Sequence, residues 1–157
     1  MRPGSRGPLF ALVIALVVLH FVLRVGFGLG QLAPDLLVVA VLLAARELRA
    51  GSAAALGLVL GVLDGAVIPL SLGSSALVLT VLGYLGARTR DFVATDSLGF
   101  LALYLFMGKW LFDALLYVVS GAILRPDFSS LLLISPLAAI YAAIAGVIAF
   151  AAWRQLA

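Results

Sequence analysis

Long apolar segments recur along the whole chain, and most of them approach the length that a membrane-spanning helix requires. About 20 mostly apolar residues form a helix that crosses the hydrocarbon core of a bilayer. Hydrophobic residues make up 65% of the 157-residue chain and charged residues only 11%, more apolar surface than a soluble domain of this size buries. The sequence therefore predicts an all-α, polytopic membrane bundle that forms one integral membrane domain, residues 1–157.

The apolar segments predict six membrane spans. These are Leu9 to Val25, Leu36 to Ala45, Ala50 to Pro69, Leu70 to Ala87, Leu98 to Ala122 and Leu131 to Trp153. The second segment is short, so it forms either a short helix or one that includes Pro34 and Asp35 at its outer end. Proline is well tolerated at a helix start, and we expect the longer version.

Basic residues predict the orientation of the bundle, because they concentrate in cytoplasmic loops. The outer segment ends carry only Arg24 and Arg125. The opposite ends carry Arg2, Arg6, Arg46, Arg49, Arg88, Arg90 and Arg154. Both termini are therefore expected in the cytoplasm, which agrees with an even number of spans. This distribution also explains the net charge of +3 without a nucleic-acid partner.

The N-terminal segment has some features of a secretory signal, since Arg2 and Arg6 precede an apolar run. No A-x-A cleavage pattern follows that run, and Arg24 and Gln31 lie where the pattern would be expected. We expect the first helix to be retained.

Several ionisable residues lie at similar predicted depths. Asp64 comes fourteen residues after Ala50, so a rise of about 1.5 Å per residue places it roughly 21 Å from the cytoplasmic boundary. The same measure places Asp113 and Arg24 at roughly 22 Å, and Lys109 with His20 at roughly 16 Å. The sequence predicts a polar layer in the outer half of the bundle, made of Arg24, Asp35, Asp64, Lys109 and Asp113, with His20 nearby.

Three interpretations of this polar layer remain open. Ionisable groups within spans usually face the bundle interior and pair with one another, so the layer can simply hold helices together. It can instead form an outward-facing pocket or a groove where a partner docks. Arg24 can also extend to the outer interface and leave the layer. For Asp64, the expected counter-charge is Lys109 or Arg24.

Small residues recur every four positions on the third segment, at Ala53, Gly57, Gly61 and Gly65. This spacing lets helix backbones approach closely, which drives association where lipid offers no hydrophobic contrast. Packing within the bundle is the simpler interpretation, and an interface with another protein is the alternative. Ala138, Ala142 and Gly146 show the same spacing on the last segment.

A short outer turn is predicted between the third and fourth segments. Pro69 and Gly73 should interrupt the helix, and Ser74 or Ser75 should cap the next one. Turn chemistry is sufficient to explain these residues.

The sequence offers little catalytic or metal-binding chemistry. It contains no cysteine, which removes disulfides, thiolate catalysis and cysteine-ligated metals. His20, the only histidine, has no serine nucleophile near it in sequence, and a metal site needs several converging ligands. We expect a non-enzymatic protein without a metal or another cofactor.

The stretch from Pro34 to Arg88 contains a series of short motifs. They are Pro34-Asp35-Leu36-Leu37, Gly57-x-x-x-Gly61-x-x-Asp64-Gly65, Pro69-Leu70-x-Leu72-Gly73, Ala76-Leu77 and Gly83-Tyr84-Leu85-Gly86-Ala87-Arg88. In these motifs the stretch resembles the MreD family of bacterial rod-shape-determining membrane proteins. It covers about a third of the chain, and Ala66-Val67-Ile68 stand where the family usually has more serine and glycine.

This resemblance implies a scaffold subunit of the cell-elongation complex in the bacterial cytoplasmic membrane. The implied partner is an MreC-like bitopic protein, and through it a RodA-type glycosyltransferase, a class B penicillin-binding protein and MreB filaments. The fold is expected to be similar to that of the substrate-binding subunits of energy-coupling-factor transporters. Such a subunit, which binds a vitamin or a metal ion, is the main alternative function.

Overall fold

A computed structural model describes residues 6–26, 34–67, 72–89, 97–121 and 128–156. These residues form six α-helices, and no strand occurs among them. The helices are α1 (Arg6–Phe21), α2 (Leu36–Ala45), α3 (Ala50–Val67), α4 (Leu72–Thr89), α5 (Leu98–Val119) and α6 (Phe128–Leu156). A π-helical turn, Val22–Gly26, continues α1, and we call it the π segment. The predicted all-α class is confirmed.

Among the described residues, four stretches are long and apolar enough to cross a membrane. They are Leu9–Gly26, Ala50–Val67, Leu98–Val119 and Ile134–Gln155. Helix α2, with 10 residues, is too short by this measure. Helix α4 has the 18 residues of α3 but is less apolar. The chain is thus built as a membrane protein.

Helix α2 lies at the centre of the bundle. All ten of its residues are buried, and it contacts each of the other five α-helices. The core around it includes Leu16 of α1, Leu79 of α4 and Leu105 of α5. Many large apolar side chains lie instead on the outer surface of the bundle, such as Ile14 and Ile148, each 62% exposed. This distribution suits a surface that meets lipid.

The predicted start of α2 is wrong, because the helix begins at Leu36 and excludes Pro34 and Asp35. Asp35 occupies the N-cap position with non-helical backbone angles, and its side chain makes no capping hydrogen bond. The carboxylate accepts a hydrogen bond from Lys109 instead. The Leu36 N–H donates to the Pro34 carbonyl at 2.8 Å, so a tight turn precedes the helix.

The predicted outer turn is also corrected at Gly73, because α4 already begins at Leu72. Gly73, Ser74 and Ser75 therefore lie in the first turn of α4 and do not precede it. The early start brings the backbone of Ser75 and Ala76 against Gly61 of α3. Pro69 lies outside the described residues.

Helix α5 ends earlier than the predicted Ala122. Ser120 is its C-cap, and its N–H bonds to the Leu116 carbonyl at 2.9 Å. Gly121 follows with a φ of 73°, the left-handed conformation that glycine adopts most readily after a helix. The Gly121 N–H bonds to the Val118 carbonyl, so this glycine completes the termination.

The closest approach between two helices joins α3 to α4. A Cβ atom added at Gly57 would lie 2.1 Å from the Leu79 carbonyl oxygen, and one added at Gly61 would lie 2.4 Å from the Ala76 Cα. Gly83 of α4 approaches α3 in return, because its added Cβ would lie 2.3 Å from the Ala53 carbonyl oxygen. The neighbouring atoms are all backbone, so glycine is required at these three positions.

Replacing Gly57 by alanine should therefore lower the stability of the bundle. The added methyl group must push α3 and α4 apart, and overpacking of this kind costs roughly 1–3 kcal/mol. Thermal denaturation of the purified protein in detergent measures the effect. The matched control is Gly51→Ala on the same helix, where an added Cβ meets no atom within 4 Å. Equal melting temperatures for the two variants would contradict the assigned packing.

Candidate functional site: a buried polar layer

The ionisable side chains within the bundle form two clusters. The first joins His20, Arg24 and Asp64, which come from α1, the π segment and α3. The second joins Asp35, Lys109 and Asp113 with Ser135, from the N-cap of α2, from α5 and from α6. All six residues predicted for the polar layer are present, but in two groups of three.

In the first cluster, Arg24 is the counter-charge of Asp64. The Arg24 Nη1 donates a hydrogen bond to the Asp64 Oδ1 at 3.1 Å. The side chain of Asp64 is 12% exposed and that of Arg24 is 23% exposed. Arg24 therefore points into the bundle, which excludes the interpretation in which it leaves the layer for the outer interface.

His20 lies directly against this ion pair. Its Nε2 is 3.4 Å from the Arg24 Nη1 and 3.8 Å from the Asp64 Oδ1. The ring is almost fully buried and meets Phe21 edge to face, with ring centroids 5.3 Å apart. Its Nδ1 is buried and has no hydrogen-bond partner among the described residues. The imidazole thus fills the space beside the ion pair and bonds through one nitrogen.

The π segment brings Arg24 into this position. His20 lies near the end of the α-helical part of the first helix, and Arg24 follows four residues later within the π-helical turn. A π-helical turn bonds residue i to i+5 and accommodates one extra residue compared with an α-helical turn. The segment therefore sets the direction from which the Arg24 side chain meets α3.

In the second cluster, Lys109 bridges two carboxylates. Its Nζ donates to the Asp35 Oδ2 at 2.9 Å and also to the Asp113 Oδ1, one helical turn further along α5. The ammonium group also lies 4.8 Å from the centre of the Phe112 ring, a favourable cation–π distance. Lys109 is only 6% exposed, so these contacts stand in for the water it has lost.

Ser135 completes the second cluster from α6. Its hydroxyl donates to the Asp113 Oδ2 at 2.8 Å, so both oxygens of that carboxylate are engaged. The hydrogen bond from Ser135 connects α6 to α5 at the depth of the polar layer. The residue after Ser135, Pro136, has no N–H and lies inside the helix.

The two clusters act on each other electrostatically. The Asp35 carboxylate interacts with Arg24 and with His20 of the first cluster as well as with Lys109. One layer therefore links residues of α1, the π segment, α3, α5 and α6 with the start of α2. Helix α4 is fastened separately, through the glycine contacts with α3.

The small-residue stripes lie inside the bundle. Ala53, Gly57 and Gly61 face α4, and Gly65 is also buried. On α6, Ala142 is buried, and a Cβ added at Gly146 would lie 2.6 Å from Leu105 and 2.9 Å from Val39. Ala138 is half-buried. Other helices of the same chain therefore cover most of both stripes.

Sequence reasoning missed Ser135 and the π segment. Ser135 carries a usable signal, because it is a hydroxyl residue within the apolar run from Leu131 to Leu137. A polar residue at that depth requires a partner. The π segment has no comparable signal, since Val22–Gly26 is an ordinary apolar stretch with one arginine.

The arrangement joins helices through charge-assisted bonds and leaves none of the three carboxylates without a cationic partner. In the described part of the chain, no three His, Asp or Glu side chains converge closely enough to hold a metal ion. The chemistry of the layer is that of mutual charge compensation within the bundle.

No family model, no curated protein and no solved structure matches this chain. The role of the polar layer therefore has to be inferred from the contacts of its own residues.

Breaking the first cluster should reveal the coupling between Arg24 and Asp64. Removing one partner of a buried ion pair leaves an uncompensated charge and costs about 3–5 kcal/mol. Arg24→Gln and Asp64→Asn should each destabilise the protein, and the double variant should lose less than the sum. Unfolding free energies in mixed micelles should give a coupling of roughly 0.5–3 kcal/mol. The control cycle, Arg24→Gln with Asp113→Asn, crosses the two clusters and should be closer to additive.

Replacing Ser135 by alanine should weaken the second cluster. The loss of a hydrogen bond to a charged group costs about 1.5–3 kcal/mol, so the melting temperature should fall. Ser52→Ala on the exposed face of α3 is the matched control and should leave the melting temperature unchanged. If the two serine variants melt alike, the bond between Ser135 and Asp113 does not stabilise the bundle.

Proposed function

We propose that this protein is a non-enzymatic scaffold subunit of the bacterial cell-elongation complex, located in the cytoplasmic membrane. In this proposal it binds an MreC-like bitopic protein within the membrane. Through that protein it contacts a RodA-type glycosyltransferase and a class B penicillin-binding protein. The observation that carries the proposal is the MreD-like stretch from Pro34 to Arg88, whose motif residues have specific structural roles.

The motif residues that carry the resemblance make contacts that other residue types would not make. Gly57, Gly61 and Gly83 allow the backbones of α3 and α4 to touch, and Asp64 receives Arg24 at the end of the same glycine-rich helix. Asp35, at the start of the stretch, receives Lys109. The stretch therefore specifies a rigid unit of α2, α3 and α4 that is tied by charge to α1 and α5, and rigidity of this kind suits a scaffold.

The polar layer supports a bracing role for most of its residues. Each of its carboxylates has a cationic partner within the chain, so little of its bonding capacity is left for a substrate. Arg24, Asp35 and Asp113 keep side-chain exposures of 23%, 23% and 18%. We assign to this partly exposed edge the polar part of the contact with the partner helix, next to apolar anchors of the kind that seat a helix in a groove.

The proposal includes six membrane crossings with both termini in the cytoplasm. Helix α2 extends only about 15 Å, half of a hydrocarbon core of about 30 Å. We place α2 inside the protein and out of contact with lipid, because all ten of its residues are buried. We place the segment ends that carry more arginine in the cytoplasm, because basic residues concentrate in cytoplasmic loops.

Affinity purification from native membranes tests this function. A tagged chain extracted with its surrounding lipid should recover an MreC-like protein and a class B penicillin-binding protein, and depletion of the chain should turn rod-shaped cells into round ones. Asp64→Asn should reduce both the recovery and the rescue of cell shape, because the bundle loses its brace. Ser52→Ala should leave both unchanged.

Recovery of an ATPase together with a coupling subunit would overturn the proposal in favour of a transporter subunit. A rod shape that persists after depletion would also contradict it. An Asp64→Asn variant that folds and rescues like the parent chain would limit the failure to the role of the polar layer.

A further inference from the structure

An apolar groove runs between α5 and α6 on the outer surface of the bundle. Its volume is about 460 Å³, and nearly all of its surface is carbon. Its lining residues are Ala102, Leu103 and Phe106 of α5 with Ile140, Ala143, Ile144, Val147 and Ile148 of α6. None of these belongs to the polar layer, so the groove is a separate feature of the molecule.

The size of the groove favours a narrow occupant. The part of α6 that lines it, from Ile140 to Ile148, is about 12 Å long, and a helix of that length with side chains occupies about 900 Å³ or more. This is about twice the volume of the groove. An extended hydrocarbon chain is much thinner than a helix and can lie along the full length of the groove.

The residues of the groove also argue against a helix. Helix interfaces in membranes are rich in small residues that let backbones touch. The walls here are bulky and mostly branched, with Ile144 54% exposed and Ile148 62% exposed. Ala102 and Ala143 are the two small residues among the eight that line the groove. A flexible hydrocarbon chain can follow the uneven surface that these side chains form.

A cation lies beyond one end of the groove. Arg154 follows Val147 by seven residues, or two helical turns, so both residues share one face of α6. Arg154 is exposed near the end of that helix, about 10 Å from Val147 along the axis. This charge lies where the headgroup of a lipid would be if its acyl chain filled the groove, and it complements a phosphate.

We propose that the groove between α5 and α6 is a binding site for one anionic glycerophospholipid. An acyl chain lies between Ala102 and Ile144, and the headgroup phosphate pairs with Arg154. The lipid binds as an integral part of the surface and exchanges more slowly than the lipids around it. Apolar contact retains the chain, and the arginine selects the charge of the headgroup.

Native mass spectrometry with phosphatidylglycerol and phosphatidylcholine of matched chains tests this site. The parent protein should retain one phosphatidylglycerol in preference to phosphatidylcholine. Ala102→Phe fills the groove and should reduce that retention at least about tenfold, while Ala66→Phe, on the exposed face of α3, should not. Arg154→Gln should reduce it about fivefold, since one arginine near a membrane surface contributes about that factor.

A second measurement does not require the groove to be filled. In a chain with Trp110→Phe and Trp153→Phe, a tryptophan introduced by Phe106→Trp reports on the groove alone, because the sequence has only two tryptophans. Brominated phosphatidylglycerol should quench it more strongly than brominated phosphatidylcholine. A tryptophan introduced by Ile14→Trp on α1 should be quenched equally by both lipids.

Three results would overturn the proposal. Equal retention of the two lipids by the parent protein would show that the groove has no headgroup preference. Equal retention by Ala102→Phe and Ala66→Phe would place the bound lipid elsewhere. A change from dimer to monomer in Ala102→Phe would assign the groove to a second copy of the chain.

Discussion

The enclosure of α2 is the constraint on which the rest of the bundle depends. Its ten residues are apolar and buried on every side, so the other five helices have to surround it. In a membrane, lipid tails are as apolar as leucine side chains, and burial alone gives little reason to assemble. Close packing supplies that reason. Tyr104 of α5 even donates its hydroxyl to the Leu42 carbonyl at 3.1 Å, which fixes α5 against the backbone of the central helix.

Two kinds of contact then hold the surrounding helices in place. Helices α3 and α4 meet through glycine, where backbone touches backbone without a side chain between them. The polar layer links the remaining helices, because Arg24 binds Asp64 of α3 and Lys109 of α5 binds Asp35 at the start of α2. A charge inside a membrane is expensive to leave unpaired, so each ion pair penalises any rearrangement that would separate its two helices. Glycine contacts allow a close approach, and ion pairs specify which elements lie side by side.

Much of this arrangement could be predicted from sequence, because depth and spacing restrict what a charge can do in a membrane. The prediction grouped Arg24 with Asp64 because they lie at similar depths. It placed Lys109 and Asp113 on one helix face because they are four residues apart. Spacing could not show that the layer divides in two or that Ser135 joins it, since both depend on how the helices rotate about their axes. The usual preferences of proline and glycine also led to wrong predicted starts for α2 and α4. A proline can open a helix, but the Asp35 carboxylate is engaged by Lys109, and Gly73 is drawn into α4 by the packing of the next residues on Gly61.

The π segment has a consequence for how this chain can vary in length. Removing Val22 or Leu23 would place Arg24 three residues after His20 instead of four and would convert the π-helical turn towards an ordinary α-helical one. The apolar contacts of α1 would survive almost unchanged, because they lie before the deletion. The Arg24 guanidinium would nevertheless start from a different position on the helix, and its hydrogen bond to Asp64 would lose its present geometry. In this part of the molecule the number of residues therefore matters as much as their identity, and insertions or deletions should be tolerated far less than substitutions among its valines.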